Sequence, residues 1–189
     1  MKKSKDINLI NPKYQFPDYY SWPFFFTLQK HGETKRKQLQ MWIDLTVKFC
    51  QDNKVWRLSK SEFYENLGKN YKINRKVNHE FVDVIFENLV KANKAKFVNE
   101  NNKDEIYVLW KTLNEWQQFI YTSAVNKGSI DQLETLDYIS TDDDNKHEEF
   151  YNIDRDLLIT ILKDLEKQGK CGLIQNDDRT YVAVKFIKK

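Results

Sequence analysis

Two stretches of sequence decide the fold: residues 81–89, FVDVIFENL, and residues 157–165, LLITILKDL. Apolar side chains recur in both stretches with the spacing of one buried helix face. The five apolar pairs share one offset of 76 residues, since 157 − 81 = 76. The pattern predicts two amphipathic helices, starting at about Asn78 and at Asp154, in equivalent places of a tandem repeat. The inward positions are Phe81, Val82, Ile85, Phe86 and Leu89 in the first helix and Leu157, Leu158, Ile161, Leu162 and Leu165 in the second.

The same element follows each of these helices. Apolar runs at residues 95–98 and 105–110 flank a polar turn, and runs at residues 171–175 and 180–186 do so in the second copy. Two such runs joined by a short polar turn are typical of a β-hairpin. The repeat therefore extends beyond the helix into a pair of strands.

Elements before the helix are repeated as well. Residues 39–50 and the residues after Thr112 show the periodicity of a buried first helix, with Trp42 and Trp116 placed 116 − 42 = 74 residues apart. Ser59 and Thr112 each precede a glutamate by three residues, the spacing of a capping box at a helix start. A short apolar element and a small helix come next in each copy. Their apolar residues are Val55 to Leu58 in the first copy and Ile130, Leu133 and Leu136 in the second.

Helix, short strand, helix, helix and hairpin is the order of a winged-helix domain. We predict a helix-rich α+β protein with two tandem winged-helix domains, residues 33–110 and 111–189. An extended aromatic-proline docking segment at residues 1–32 precedes them. The alternative that the residues leave open is one irregular α+β domain with an accidental internal similarity.

The chemistry-bearing residues point away from an enzyme. The sequence has three histidines, His31, His79 and His147, and none lies in a motif with a nucleophile. No phosphate-binding glycine motif and no HExxH sequence occurs. The acidic run at residues 142–144 lacks the alternating ligands and the glycine of a calcium loop. We expect no catalytic residue, no cofactor and no metal ion.

The overall charge of the chain does not indicate a particular class of partner. The 31 basic residues are nearly cancelled by 28 acidic ones, which leaves a net charge of +3. No apolar run of about 18 residues occurs, and residues 1–6 lead into no signal peptide. Cys50 and Cys171 lie far apart and outside any metal-binding spacing, which favours two buried thiols over a disulfide. We expect a soluble cytosolic protein.

A winged helix often binds DNA through its third helix, so the exposed face of that helix tests this function. Here the predicted face carries Glu80, Asp83, Glu87 and Asn88, with Lys91 only at its end and Arg75 and Lys76 before it, and the turn of the first hairpin adds further carboxylates. Contacts with phosphates supply most of the non-specific affinity for DNA, and this mixed surface would weaken them. We therefore expect no nucleic-acid partner, and a DNA-binding transcription regulator stays as the alternative function.

The segment before the first domain is rich in aromatic residues. Residues 14–29 read YQFPDYYSWPFFFTLQ and contain two aromatic-proline units, at residues 16–19 and 22–25. Proline fixes its own φ and biases the preceding residue to extended geometry, which predicts rings held along an exposed, non-helical strand. Aromatic anchors of this kind often carry much of the binding energy of an interface. The alternative is that the segment folds back onto the first domain and covers Trp42 or Trp56.

The sequence resembles the family of the small winged-helix subunit of the endosomal sorting complex ESCRT-II. The resemblance covers nearly the whole chain, and its most specific part is residues 24–29, FFFTLQ, followed by residues 34–39. Residues 149–158 are similar to the family's entry into its last helix, and residues 184–186 are similar to its terminal strand. The family pattern often has two consecutive prolines, whereas here single prolines stand in each motif.

The resemblance implies a set of partners. Two copies of the small subunit join two larger winged-helix subunits, and the tail motifs insert into those larger subunits. The second domain recruits the first ESCRT-III subunit during the sorting of ubiquitinated membrane cargo to multivesicular bodies. The protein would work at the cytosolic face of endosomes, with membrane contact only through its partners. By position, the implied contact residues are Phe16, Pro17, Tyr19, Trp22, Pro23, Phe24 and Phe25.

Overall fold

The structure, a computed structural model, describes residues 14–188, so residues 1–13 of the predicted docking segment lie outside the described residues. The chain divides into two compact units, one ending at Trp110 and the other beginning at Lys111. Each unit has the element order helix, strand, helix, helix, hairpin. The predicted helix-rich α+β class with winged-helix units is confirmed.

The first unit is a winged helix with one added hairpin. Its elements are α1 (Gly32–Asn53), β1 (Arg57–Ser59), α2 (Lys60–Asn66), β2 (Lys69–Asn70), β3 (Arg75–Lys76), α3 (His79–Lys91), β4 (Ala95–Phe97) and β5 (Glu105–Val108). The three-stranded antiparallel sheet has the order β1-β5-β4, and β2 pairs with β3 in a separate two-stranded sheet. The β2–β3 hairpin was not predicted, because strands of two residues show no periodicity.

In the first unit, α2 and α3 begin at side chains that cap them. Ser59 accepts a hydrogen bond from the backbone N–H of Glu62, and the Glu62 carboxylate accepts one from the N–H of Ser59 at 2.8 Å. Asn78 accepts from the N–H of Phe81 at 2.9 Å at the start of α3. All five predicted inward residues of α3 are buried. Burial of such a side chain contributes about 1.5 to 3 kcal/mol each, so this face anchors the core.

The second unit repeats this topology. Its three-stranded antiparallel sheet has the order β6-β8-β7, with the last strand of the chain in the middle. The predicted capping box of Thr112 and Glu115 is present, and Gly128 follows the helix with φ of +74°. The elements are α4 (Leu113–Asn126), β6 (Leu133–Thr135), α5 (Leu136–Thr141), α6 (Arg155–Lys167), β7 (Cys171–Gln175) and β8 (Tyr181–Phe186).

The core of the second unit forms around α6. Its five predicted inward residues are buried, and Trp116 of α4 is fully buried with them. Leu133 differs from its apolar neighbours, because it is 61% exposed on β6. Among the described helices, none combines the length and the apolar character that a membrane span requires.

Candidate partner-docking surface

The aromatic segment is not an extended strand. Asp18–Ser21 and Pro23–Phe26 each form a short 3-10 helix, whereas the sequence predicted extended geometry without helix. The prolines permit these helices at the positions where they stand. Proline lacks only an N–H that the first position of a helix does not use, and its fixed φ suits that position. Pro23 starts the second 3-10 helix in this way, and Pro17 precedes the first.

The second 3-10 helix places its rings in opposite environments. Phe25 and Phe26 are buried, with 1% and 3% of their surface exposed, whereas Phe24 is 56% exposed. The Phe25 ring stacks on the indole of Trp42 with centroids 4.2 Å apart, and Phe26 meets the same indole edge-on at 5.8 Å. The segment therefore covers Trp42, as the fold-back alternative anticipates.

A buried glutamine of α1, Gln38, fixes the backbone of the second 3-10 helix and of the residues that follow it. The Gln38 Nε2 lies within hydrogen-bond distance of three carbonyl oxygens, those of Phe24 at 3.1 Å, Phe25 at 3.0 Å and Thr27 at 2.9 Å. Its Oε1 accepts a hydrogen bond from the N–H of Gln29 at 3.1 Å. Carbonyls without intrahelical partners need such donors when they are buried. Gln38 thereby locks residues 24–29 against the first helix.

The first 3-10 helix is anchored beside the β2–β3 hairpin. The Tyr20 hydroxyl lies 2.9 Å from the carbonyl of Leu67 and 2.7 Å from that of Lys69, as a donor to either. Asn70 Nδ2 donates back to the Tyr20 carbonyl at 2.7 Å. Phe16 stacks on the Tyr20 ring with centroids 4.1 Å apart. These contacts hold the first aromatic-proline unit on the domain surface.

The tyrosines of the segment stay protonated at neutral pH. Burial raises the pKa of Tyr14 to about 12, with the negative charge of Asp52 acting in the same direction. Burial also raises the pKa of Tyr19, and Asp44 adds to the shift. A protonated hydroxyl remains a hydrogen-bond donor. The Tyr19 hydroxyl, 3.4 Å from the carbonyl of Met41, keeps that capacity over the physiological range.

Two large rings of the segment remain exposed side by side. Trp22 is 44% exposed and lies 5.4 Å from the Phe24 ring, centroid to centroid, with planes 30° apart. Pro23 between them is also exposed. We call residues Trp22, Pro23 and Phe24 the aromatic patch. Aromatic side chains bury large areas at interfaces, so a rigidly held pair of this kind is suited to fill a pocket of another protein.

The predicted contact residues thus fall into groups of different exposure. Phe25 is a core residue of the first unit, and its role as a partner-contact residue stays a prediction. Sequence reasoning missed Gln38 and Asn70, the polar side chains that position the turns, because each is one polar residue among many in its element. The aromatic patch is exposed, and Phe16, Pro17 and Tyr19 are half-buried.

The second unit contains a polar network that secures its acidic loop. Glu148 Oε1 accepts a hydrogen bond from Ser123 Oγ at 2.7 Å and pairs with Lys127 Nζ at 3.1 Å. Lys127 also donates to Asn145, a buried residue whose Nδ2 donates to the carbonyl of Tyr138 at 2.6 Å. Burial opposes the charge on Glu148, but the bonds from Ser123 and Lys127 outweigh it and lower its pKa. The network is structural in character.

Nothing in the described part of the chain gathers three or more potential metal-ligating side chains in one place. Cys50 and Cys171 are both buried free thiols. Burial raises the pKa of both, to about 12 for Cys171, with Glu166 adding to the shift there. A thiol needs its thiolate form to act as a nucleophile or a metal ligand. Both cysteines behave as apolar core residues.

The two winged-helix units and the anchored aromatic patch define a tandem winged-helix protein with the features of a binding module. Its family follows from comparison with known proteins. The family model described as ESCRT-II complex subunit matches residues 19–154. The chain belongs to the ESCRT-II complex subunit family.

Individual relatives agree with this assignment. Vacuolar protein-sorting-associated protein 25 of Dictyostelium discoideum is 32% identical, over 94% of this chain and 98% of the relative. The protein of the same name from Danio rerio is 32% identical, over 87% of this chain and 95% of the relative. Two solved structures are similar across the whole fold. The crystal structure of subunit VPS25 of the endosomal trafficking complex ESCRT-II gives a TM-score of 0.82 at 26% identity, covering 90% of this chain and 99% of that one.

The second solved structure contains the assembled complex. A chain of the endosomal complex ESCRT-II (VPS22/VPS25/VPS36) gives a TM-score of 0.77 at 26% identity, covering 88% of this chain and 97% of that chain. The family resemblance inferred from the sequence is thereby confirmed.

Proposed function

We propose that this protein is a structural and recruiting subunit of ESCRT-II, in the position of VPS25, and performs no chemistry of its own. It serves the sorting of ubiquitinated membrane cargo to multivesicular bodies. The aromatic patch docks onto the larger subunits that correspond to VPS22 and VPS36. The second unit recruits a subunit of ESCRT-III. The protein works in the cytoplasm, peripheral to the endosomal membrane.

The observation that carries the docking proposal is the rigid exposure of the aromatic patch. Phe25 is anchored under Trp42 and the backbone is held by Gln38, so Trp22 and Phe24 stay exposed in a fixed geometry. A preorganised contact loses less conformational entropy on binding than a flexible one. The half-buried Phe16, Pro17 and Tyr19 extend the same segment and form the second docking motif.

The test is co-purification with the larger subunits. The double variant Trp22→Ala/Phe24→Ala removes both exposed rings and leaves the buried anchor intact. We expect it to lose the larger subunits while its circular dichroism and melting temperature stay at the wild-type values. Tyr71→Ala is the matched control, because it removes another exposed aromatic ring, 81% exposed, outside the patch. If the double variant still co-purifies with the larger subunits at the wild-type level, the docking proposal is wrong.

Two exposed apolar side chains on one face of the second sheet support the recruiting proposal. Leu133 of β6 pairs with Lys185 of β8, and Ile174 of β7 pairs with Ala183 of β8. Since Lys185 and Ala183 are two residues apart, all four lie on one face of the sheet. Leu133 and Ile174 are 61% and 39% exposed there. Exposed apolar side chains on one face mark interaction sites more often than isolated ones do.

Substitution on this sheet face separates recruiting from docking. We expect Leu133→Asp/Ile174→Asp to lose capture of the ESCRT-III subunit and to keep the two larger ESCRT-II subunits. Val125→Asp, which changes an exposed apolar residue of α4, is the control and should keep both. Retention of ESCRT-III by the double variant would place the recruiting surface elsewhere.

The alternative of a DNA-binding regulator receives no support from the exposed face of α3. Glu80, Asp83 and Glu87 are exposed there, and Asn88 is half-buried with its side chain bonded to the carbonyl of Val84 at 2.7 Å. Asp83 pairs with Lys60 at 2.7 Å and Glu87 pairs with Lys103 at 3.7 Å, so this face presents paired charges rather than a row of free cations for phosphate contacts. Tight, salt-dependent binding of duplex DNA would revive this alternative.

A further inference from the structure

The β2–β3 hairpin carries a cluster of positive charge that the proposed function does not use. Residues 69–76 read KNYKINRK, with four basic residues and no acidic one. Lys69 pairs with Glu65 at 2.6 Å. Lys72, Arg75 and Lys76 are exposed, and no acidic side chain among residues 14–188 forms an ion pair with any of them. Three charges are therefore available to a partner.

The fold maintains this cluster against its own repulsion. Lys69 stands directly opposite Lys76 in the strand pair. Like charges in such a position destabilise a hairpin, and a two-stranded hairpin is marginal by itself. Two hydrogen bonds, from Asn70 Nδ2 to the Tyr20 carbonyl and from the Tyr20 hydroxyl to the Lys69 carbonyl, hold the hairpin on the core of the first unit nonetheless. An anionic partner would relieve the repulsion.

The tip of the hairpin adds an aromatic ring to the charges. Tyr71 is 81% exposed, the largest value among the exposed large apolar side chains of the described chain. Tyrosine prefers the interface of a lipid bilayer, where its ring meets the acyl boundary and its hydroxyl meets water. A projecting tip of this kind fits a flat surface better than a groove. Lysine and arginine near an anionic leaflet add electrostatic attraction.

We propose that the β2–β3 hairpin is a direct contact site for anionic phospholipid headgroups. Lys72, Arg75 and Lys76 bind the phosphate and carboxylate groups of the lipids, and Tyr71 inserts at the interface. From its sequence, the chain is expected to contact the membrane only through partner subunits. The hairpin would add a weak membrane contact made by this chain itself. Joined to stronger membrane-binding partners, a weak contact raises the total affinity and fixes orientation.

A nucleic acid is the competing polyanion, and the neighbouring helix argues against it. The hairpin leads directly into α3, whose exposed face carries Glu80, Asp83 and Glu87. A duplex long enough to gain affinity would extend beyond three cations and meet this face, where the adjacent Lys60 and Lys103 are already paired with Asp83 and Glu87. A bilayer touched by the hairpin tip needs no contact with α3. Charge and shape together favour the lipid surface.

Vesicle sedimentation of the full-length chain tests the proposal. The probes are vesicles of phosphatidylcholine with phosphatidylserine and matched vesicles of phosphatidylcholine alone. We expect binding only to the former, and Lys72→Gln/Arg75→Gln/Lys76→Gln to weaken it roughly a hundredfold, since each basic side chain contributes about a factor of five near an anionic surface. Tyr71→Ala should weaken binding less and leave its salt dependence unchanged.

A second triple variant tests whether lipid binding depends on the hairpin or only on the net positive charge of the protein. Lys35→Gln/Arg36→Gln/Lys91→Gln removes the same charge from a groove between α1 and α3. Equal losses in the two triple variants would overturn the proposal, as would duplex DNA or RNA binding tighter than the vesicles. Displacement by inorganic phosphate at low concentration would assign the site to a free anion instead. The hairpin triple variant retains Trp22 and Phe24, so we expect it still to co-purify with the ESCRT-II subunits. A loss of vesicle binding with co-purification retained therefore bears on the lipid site alone and not on the docking proposal.

Discussion

The Phe25 ring lies nearly parallel to the indole of Trp42, with planes 11° apart and centroids separated by 4.2 Å. The indole Nε1 also donates a 3.1 Å hydrogen bond to the Phe25 carbonyl. The Trp42 side chain of α1 thus contacts both the ring and the backbone carbonyl of Phe25. This double contact makes the aromatic segment part of the core of the first unit.

Truncation of Phe25 should therefore destabilise the first unit. We expect Phe25→Ala to lower the free energy of unfolding by about 3 to 5 kcal/mol, because it leaves a cavity against Trp42. Urea denaturation followed by tryptophan fluorescence measures the change. Phe24→Ala removes the same ring from an exposed position and should change stability by less than about 0.5 kcal/mol. Equal effects of the two variants would contradict the placement of Phe25 in the core.

Replacement of the buried Gln38 should lower stability more than replacement of the exposed Gln40 on the same helix. Gln38→Leu keeps the size of the side chain but removes the Nε2 donor to the carbonyls of Phe24, Phe25 and Thr27, and it removes the Oε1 acceptor of the Gln29 N–H. We expect a loss of about 1 to 3 kcal/mol in unfolding free energy, together with faster amide exchange at Gln29, whose N–H bonds to Gln38. Gln40→Leu, which changes an exposed residue of the same helix, serves as control. Unchanged exchange at Gln29 in Gln38→Leu would argue against this bond.

The interactions of Glu148 should make stability depend on acid pH. Its folded-state pKa is lowered, whereas the unfolded chain has the ordinary value of about 4.3. The interactions therefore stabilise the protein above that pH, and the stabilisation disappears as pH falls through the folded-state pKa. Urea midpoints across the acid range should fall less steeply for Glu148→Gln than for the wild type. The exposed Glu100→Gln should follow the wild-type curve. Parallel curves for the wild type and Glu148→Gln would refute the assignment.

Both thiols should resist modification in the folded protein. Cys50 and Cys171 are buried, and burial raises the pKa of each, so little thiolate is present near neutral pH. We expect a disulfide reagent to label neither in native buffer and both after unfolding in urea. Cys50→Ser and Cys171→Ser identify the thiol responsible for any signal. Rapid native labelling of either cysteine would show that its burial is incomplete.

The repeat was predictable because both copies obey local rules. The five inward residues of α3, with Phe81 first, follow the helical period, and Asn78 caps the helix as its side-chain chemistry favours. Ser59 and Thr112 likewise form the capping boxes that their spacing predicted. Tertiary packing agrees with local preference at these places, so periodicity and capping suffice to locate the elements.

The geometry of the candidate site was less predictable. Proline rules alone favoured an extended segment, but the burial of Phe25 against Trp42 and the bonds from Gln38 select a 3-10 helix. These contacts join residues 11 to 17 positions apart. No local pattern distinguishes the buried Gln38 from the exposed Gln40. The sequence singled out the aromatic segment, whereas the division of its rings into buried and exposed ones required the tertiary contacts.

The anchoring of Phe25 and Phe26 changes how genetic experiments on this protein are interpreted. A deletion through residue 26 removes the proposed contacts, but it also strips two buried rings from a small core and exposes Trp42. Cells carrying such a deletion would degrade the misfolded chain, and the resulting phenotype would report protein abundance rather than assembly. Point changes at Trp22 and Phe24 avoid this ambiguity. These changes therefore test the docking proposal without disturbing the core of the first unit.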